Sequence, residues 1–242
     1  MAQFEPQYQG PDRYALAIEA DAETRGDFIR KTYLHLIGAV LAFIGLEVVL
    51  FQSGLAEPIM GTLLSTKWAW LIVLGAFMGV SWLANKWAAS ATSVAAQYLG
   101  LSLYVVAEAV IFVPLLYIAQ RFGQGIIGTA AVSTLLLFSG LTAFVLVSGK
   151  DFSFLRGVLV LGGFAGLGVI VAAMIFGFTL GIVFTVLMIA LACGYILYDT
   201  SNVLHHYRIG QHVAASLALF ASVALLFWYV LRLLMILQGG RR

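Results

Sequence analysis

The sequence predicts an all-α polytopic membrane protein with seven transmembrane helices. Of its 242 residues, 62% are hydrophobic and only 10% are charged, whereas a soluble domain is about half apolar and about a quarter charged. The mean hydropathy is +1.00. The apolar residues form seven runs, each near the roughly 20 residues that a helix needs to cross a bilayer core. These runs are continuous rather than alternating, which argues against the strands of a membrane barrel.

Short polar or helix-breaking segments separate the seven predicted spans. Examples are QRFGQG at 120–125 and HHYRIGQH at 205–212. Only Phe176 and Gly177 interrupt the apolar run between the fifth and sixth spans, which predicts a tight turn there. The predicted spans cover residues 32–52, 68–87, 94–119, 125–148, 154–176, 178–200 and 213–237.

Residues 1–31 form a polar head that holds six of the eleven acidic residues. The head lacks the short apolar core and cleavage site of a secretory signal, so we expect the first span to be an uncleaved anchor. Its acidity also argues against an organellar transit peptide. The chain therefore divides into a polar cytoplasmic segment, residues 1–31, and a transmembrane domain, residues 32–242.

The distribution of Lys and Arg predicts the orientation. With a cytoplasmic N-terminus, the inner side carries eight of these residues and the outer side four, as the positive-inside rule requires. We expect a multi-pass protein of a bacterial inner membrane, with its N-terminus in the cytoplasm and its C-terminus outside. The sixth span then runs inward, so Asp199 lies near the cytoplasmic edge. The net charge of +2 gives no reason to expect a nucleic acid partner.

Glycines recur inside the predicted helices. Gly162 and Gly166 make a GxxxG pattern in the fifth span, and such small residues let helix backbones approach closely in a membrane. Tight packing is one interpretation of this pattern, and a hinge for gating is the other.

A few ionisable residues fall inside the spans, where each costs roughly 2.5 to 3.5 kcal/mol at a helix centre and needs a partner or water. Glu108 lies deep in the third span, so it is either protonated and hydrogen-bonded within the bundle or directed at a wet cavity. Glu47 is near enough to the outer end of its span to reach the interface. Arg232 is close enough to an end to snorkel.

Asp199 follows a long apolar run in YILYDTSNVLHHY, residues 195–207. The partial negative charge of a helix C-terminus disfavours a carboxylate. If the helix ends near residue 200, then His205, His206 and Arg208 are the cations that could offset this. If it continues, Asn202 and His206 fall on the same face as Asp199. The residue is either a solvated interfacial carboxylate or an ion or proton site.

The sequence contains none of the HExxH, CxxC, GxSxG or P-loop motifs. We therefore expect neither an enzyme nor a resident cofactor. A tight calcium cage takes six to eight oxygen ligands, which three scattered acidic residues do not supply. Any cation site should be weak, which favours passage over storage, and no internal repeat supports an inverted-repeat transporter.

Four stretches carry a resemblance to a known family. YILYDTSNVLHHY resembles the sixth-helix signature of the transmembrane Bax-inhibitor motif family, whose core reads like YxLYDT. RGDFIRKTYLHL at 25–36 is similar to the start of that family's first helix. GKDFSFLRG at 149–157 is similar to its connection into the fifth helix, where Asp151 is expected to be an N-cap. LFWYVLRLL at 226–234 is similar to its last helix.

The resemblance implies six helices packed around a central C-terminal helix, and a pH-sensitive calcium leak across the membrane. In the family, an aspartate on helix six pairs with one on helix seven, and their shared proton closes the pore. Asp199 matches the first position. With Arg232 aligned on the family's arginine, the second falls on Ser222. A serine donates a hydrogen bond but cannot share a proton as a carboxylate does, so the switch should differ here.

The resulting functional hypothesis is a pH-influenced leak channel for calcium or other cations, with no cofactor. Asp199 is the expected ion or proton site, Ser222 its neighbour and Glu108 a second pathway residue. Further possible neighbours of the site are Asn202, His206 and Arg232. The alternative is a non-conducting regulator that binds other membrane proteins, since bacterial relatives are associated with modulating a membrane protease.

Overall fold

The structure, a computed structural model, describes residues 15–90, 93–123 and 125–239. Arg241, Arg242 and residues 1–14 of the predicted polar head lie outside the described residues. Within the described part, the chain forms one short 3-10 turn at 153–155 and eight α-helices. The helices are α1 (Ala22–Gln52), α2 (Ala56–Leu63), α3 (Lys67–Ala88), α4 (Val94–Ala119), α5 (Ile126–Ser148), α6 (Arg156–Phe176), α7 (Ile182–His205) and α8 (His212–Gly239).

All of these helices except α2 are long and apolar enough to cross a membrane. This confirms the predicted all-α polytopic class with seven spanning helices. Helix α2 has eight residues, which at 1.5 Å per residue extend about 12 Å and cannot cross a core of about 30 Å. It lies between the first two spans and packs against α3 and α4.

Helix α1 begins ten positions before the predicted first span. The Asp21 carboxylate caps it by accepting the backbone N–H groups of Glu23 and Thr24, and it thereby satisfies donors that a helix start leaves without partners. The last ten residues of the predicted polar head, 22–31, are therefore the first turns of α1.

The connection between α6 and α7 is longer than predicted. Gly177 ends α6 in the left-handed conformation, with a φ of 78°, which glycine adopts without steric cost. Residues 178–181 are not helical, and α7 begins at Ile182. The tight turn and the sixth-span start at residue 178 were wrong, because apolar residues continued through this connection and hid it in the hydropathy pattern.

Two helices share the interior of the bundle. Helix α8 packs against α1, α3, α4, α5 and α7, and α4 packs against α1, α2, α3, α5 and α8. Of the most apolar 18-residue stretch of each, 67% is buried in α4 and 50% in α8. The arrangement of six helices around a single central helix therefore stays a prediction.

The glycines of α6 face α7. A Cβ atom at Gly162 would lie 2.7 Å from Cδ1 of Leu191, and one at Gly166 would lie 2.8 Å from Sδ of Met188. Neither position has room for a side chain without a shift of its neighbour. The packing interpretation of the GxxxG pattern therefore fits the contacts between α6 and α7.

Residues 15–20, the N-terminal strap, close one end of the bundle. The Ala17 N–H donates to the Tyr207 carbonyl oxygen at 2.9 Å, and the Ile209 N–H donates to the Ala15 carbonyl oxygen at 3.2 Å. Ala17 is fully buried. Part of the predicted polar head thus belongs to the folded domain and covers the connection between α7 and α8.

The closest helix approach gives a first testable prediction. A Cβ atom at Gly100 of α4 would lie 2.5 Å from the Ala84 carbonyl oxygen and 2.6 Å from the Ala88 nitrogen of α3. Because these are backbone atoms, they cannot move aside without separating the helices. Gly100→Ala should lower the melting temperature in detergent by about 5 °C or more.

Gly140→Ala is the matched control, since its Cβ atom would meet nothing within 4 Å. This variant should keep or raise the melting temperature, because alanine favours the helix. Equal melting of the Gly100→Ala variant and the parent protein would contradict the proposed close packing of α3 and α4.

Candidate functional site

A cavity of about 550 Å³, the central cavity, is lined by residues of α3, α4, α6, α7 and α8. Its lining is mostly apolar, yet it includes four residues that the sequence singled out: Glu108, Asp199, Ser222 and Arg232. Ligand sites in proteins commonly have volumes of about 300–1,000 Å³ and a few polar groups in an apolar wall. The fold therefore brings these polar residues to one space inside the bundle.

Asp199 and Ser222 meet at one end of the central cavity. Asp199 is 8% exposed and Ser222 is 4% exposed, and the Ser222 hydroxyl donates a hydrogen bond to the Asp199 carboxylate. Helix α7 continues to His205, so the carboxylate lies within the helix rather than at its terminal carbonyl groups. The alternative of a solvated interfacial carboxylate does not fit this burial.

Glu108 lies in the middle of α4 and is 7% exposed. The Tyr104 side chain, one turn earlier on the same helix, lies close to its carboxyl group, and both residues line the central cavity. Of the two alternatives, the structure thus favours a place on a cavity wall. Tyr104 was missed in the sequence, although its i, i+4 spacing from Glu108 is a usable signal.

Arg232 marks the other end of the central cavity. It lies ten positions after Ser222 on α8, about 15 Å further along the helix axis. Its Nη2 atom donates to the Leu180 carbonyl oxygen at 2.8 Å, in the non-helical connection between α6 and α7. The side chain is half-buried. It was expected to snorkel to the headgroup region, and it instead donates to a carbonyl oxygen of the protein.

The other two possible neighbours, Asn202 and His206, do not line the central cavity. The Asn202 carbonyl oxygen accepts the backbone N–H groups of His206 and Tyr207 at 2.9 and 3.0 Å, which closes the end of α7. The His206 Nε2 atom lies 3.1 Å from Oδ2 of Asp151. Both residues therefore act at the end of α7 rather than at the Asp199 carboxylate.

Asp151 ties the connection after α5 to α7. Its Oδ1 atom accepts the Ser153 N–H at 2.8 Å and the Ser201 hydroxyl at 3.3 Å. The backbone N–H of Ser153 is the main cause that lowers the pKa of Asp151, and the nearby His206 adds to it. The N-cap of the 3-10 turn is Phe152 and not Asp151, so the expected N-cap was wrong by one residue. The Phe152 side chain cannot accept a hydrogen bond, and the Asp151 carboxylate accepts the Ser153 N–H in its place.

Among the residues that the structure describes, no group of three or more His, Cys, Asp or Glu side chains is arranged to hold a metal ion. The central cavity instead offers two separate carboxyl groups, Glu108 and Asp199, together with hydroxyl groups. Such a wall can replace part of the hydration shell of a passing cation, but it supplies too few oxygen ligands for tight calcium binding.

Comparisons with known proteins give the family context. A family model described as "Inhibitor of apoptosis-promoting Bax1" matches residues 25–239. A protein of Pseudomonas aeruginosa is 27% identical over 229 residues, which cover 92% of this chain and 95% of the relative. Bax inhibitor 1 of Schizosaccharomyces pombe is 36% identical over 124 residues, 49% of this chain and 46% of the yeast protein. Protein lifeguard 4 of Mus musculus is 32% identical over 110 residues, 43% and 44% of the two chains.

The contacts of Asp151 predict a pH-dependent contribution to stability. A carboxyl group whose pKa is lowered by folding stabilises the protein above its ordinary pKa, 3.8 for this group, and the stabilisation is lost as the pH falls through the lower folded value. Asp151→Asn should therefore lower the melting temperature at pH 5 to 7, and the difference from the parent protein should shrink below pH 3.8.

Glu57→Gln serves as the control, because it removes an exposed carboxylate elsewhere on the surface. Melting curves in detergent at several pH values measure both variants. A deficit of the Asp151→Asn variant that stays constant at low pH would show that its charge is not what stabilises the connection.

Proposed function

The chain belongs to the family of inhibitors of apoptosis-promoting Bax1, and from this premise we propose that it forms a leak pathway for cations, calcium above all. The observation that carries the proposal is the central cavity, whose wall holds Glu108, in the middle of α4, and Asp199, toward the end of α7, both on membrane-spanning helices. Ionisable groups at such positions are costly and commonly mark ion or proton pathways.

The Asp199–Ser222 contact is the proposed constriction. It joins α7 to α8 at one end of the cavity, where both side chains are buried. A cation that leaves the cavity at this end must separate the two helices or take the place of the serine at the carboxylate. The ion then takes the place of the Ser222 hydroxyl at the Asp199 oxygens, and the negative charge of Asp199 favours its entry.

Glu108 is the proposed second contact of the ion. Its carboxyl group belongs to α4, a different helix from those that carry Asp199 and Ser222, and the Tyr104 side chain lies close to it. An ion in the cavity then meets two carboxyl groups one after the other. Weak successive sites of this kind allow an ion to enter and also to leave.

Ser222 sets the response to pH in this proposal. Two adjacent carboxyl groups cannot both ionise cheaply and so share a proton, whereas the serine hydroxyl donates its hydrogen bond whatever the pH. The leak of this protein should therefore respond to pH less steeply than that of a pair of carboxylates.

The proposed setting is a bacterial inner membrane, with the N-terminal strap on the cytoplasmic side. The strap contacts the connection after α7, so the Asp199 end of the central cavity then faces the cytoplasm and the Arg232 end faces outward. The excess of Lys and Arg on the same side as the strap supports this orientation.

Calcium flux into proteoliposomes tests the proposal, at acid and alkaline pH. The parent protein should pass calcium above the level of empty vesicles, with the gradual pH response of a single carboxyl group. Asp199→Asn should reduce the flux severalfold, because it removes the charge at the constriction. Ser222→Asp should make the pH response steeper, with low flux at acid pH, where the two carboxyl groups share a proton, and higher flux at alkaline pH.

Ser222→Ala is the matched control, since it removes the same hydroxyl without adding a carboxyl group. Its flux should change without gaining the pH response of the Ser222→Asp variant. If the parent protein passes no more calcium than empty vesicles do, the leak function is wrong. If Asp199→Asn leaves flux and pH profile unchanged, Asp199 has no part in it.

A non-conducting regulator that binds another membrane protein, such as a membrane protease, is the second candidate. The observation that favours it is the serine at position 222, because Asp199 then has a hydrogen-bond donor but no second carboxyl group with which to share a proton. In this case the function resides in the surface of the bundle or in the polar head, rather than in the cavity.

Removal of residues 1–14 separates the two candidates. This truncation keeps the N-terminal strap, whose contacts with Tyr207 and Ile209 belong to the fold. For a leak channel, we expect flux equal to that of the full chain. For a regulator that docks through its head, co-purification with a membrane-embedded protease of the host should fall while any flux persists. Unchanged co-purification would contradict docking through these residues.

A further inference from the structure

A second cavity, the lateral cavity, has a volume of about 420 Å³ and lies between α1 and α5, with α4 and α8 behind it. On α8 it is lined by Phe220, Val223, Ala224 and Phe227, which recur at helical spacing. The central cavity uses Ala221, Ser222, Leu225 and Trp228 of the same helix, and Ala224 lines both cavities. Apart from Ala224, these two sets lie on different faces of α8, so the lateral cavity is distinct from the proposed leak pathway.

Glu47, Thr134 and the exposed Gln120 are the polar residues in a lining that is otherwise apolar. Glu47 of α1 is 7% exposed and Thr134 of α5 is 2% exposed. Neither carboxyl oxygen of Glu47 has a hydrogen-bond partner, and the Thr134 hydroxyl has none either. Glu47 is thus covered by the protein, although it lies near the outer end of its helix.

The absence of a partner for Glu47 is a departure from the rule that buried polar groups are paired. Asp199, another carboxyl group in the spans, follows that rule through Ser222. Residues of the lateral cavity include no Lys, Arg or His, so the charge of an ionised Glu47 meets no cation of the protein there. Besides the amide of Gln120 on its exposed side, the cavity thus offers one buried acidic group and one buried hydroxyl that a ligand can satisfy.

The rim of the lateral cavity faces the lipid. Ile44, Val48 and Leu135 line it and are 49%, 46% and 52% exposed, on helices that span the membrane. Glu47 lies five positions before the end of α1, about 8 Å along the axis, so its depth is close to the headgroup region. A ligand that enters here comes from the bilayer, with an apolar tail and a polar end near the interface.

We propose that the lateral cavity binds a lipophilic amine, with its alkyl chain among the phenylalanines and its ammonium group at Glu47 and Thr134. An ammonium group carries three donors and no acceptor, which suits a carboxylate and a hydroxyl oxygen facing it from two helices. Its charge also pairs with the carboxylate, and charge-assisted hydrogen bonds are about twice as strong as neutral ones. A fatty alcohol lacks this charge, and a fatty acid repeats the charge of Glu47.

Photolabelling in phosphatidylcholine nanodiscs tests the proposal, with dodecylamine that carries a diazirine at the end of its chain. The labelled peptides should come from α1 and α8, around residues 40–44 and 220–227, where the end of the chain lies among the phenylalanines. Free dodecylamine should compete with the label, and dodecanol and dodecanoate should compete about tenfold less well or worse. Glu47→Gln should weaken labelling about tenfold, whereas Glu57→Gln, which removes an exposed carboxylate, should leave it unchanged.

Ala131→Phe provides a second variant that keeps Glu47 and fills the lateral cavity, which Ala131 lines. It should abolish labelling, while a melting curve shows that the bundle is folded. Equal labelling of the parent protein and the Glu47→Gln variant would overturn the proposal, and so would equal competition by dodecanol. Calcium flux does not enter this experiment, so its outcome is independent of the leak function.

Discussion

The need to pair polar groups inside the membrane governs the interior of this bundle. Lipid offers no hydrogen-bond partners, so a buried donor or acceptor is stable where the protein supplies a partner. Asp199 finds Ser222, and Arg232 finds the Leu180 carbonyl oxygen. The first pair fixes α7 against α8, and the second fixes the connection between α6 and α7 to α8. Both ends of the central cavity are thus set by polar contacts rather than by apolar packing alone.

The seven spans could be predicted because hydropathy is a property of single segments, and each segment is long enough to be unambiguous. The connection at 177–181 was missed because its residues are as apolar as the helices on either side, so only the left-handed Gly177 marks the break. The N-terminal strap was missed for the opposite reason. Its residues read as a polar tail, and the hydrogen bonds of Ala17 and Ile209 that fold it depend on a connection about 190 residues away in the sequence.

The site shows a similar division. The resemblance placed Ser222 beside Asp199, since a family pattern carries information about which helices meet. Tyr104 has no such pattern, and its role depends on which face of α4 turns inward. The burial of Glu47 could not be predicted either, because depth along one helix says nothing of the neighbours that cover a side chain. In the structure Glu47 is 7% exposed, in a cavity wall shared by α1, α4, α5 and α8.

Helix α8 separates two cavities of different chemistry. One face carries Ser222 toward the central cavity, where its hydroxyl is paired with the Asp199 carboxylate. The other carries Phe220, Val223 and Phe227 toward the lateral cavity, where Glu47 and Thr134 have no partner. The residues of both walls belong to the same turns of α8, and Ala224 lines both cavities. A displacement of α8 would therefore change both spaces at once, and the turns around Ser222 connect the proposed amine site to the proposed cation pathway.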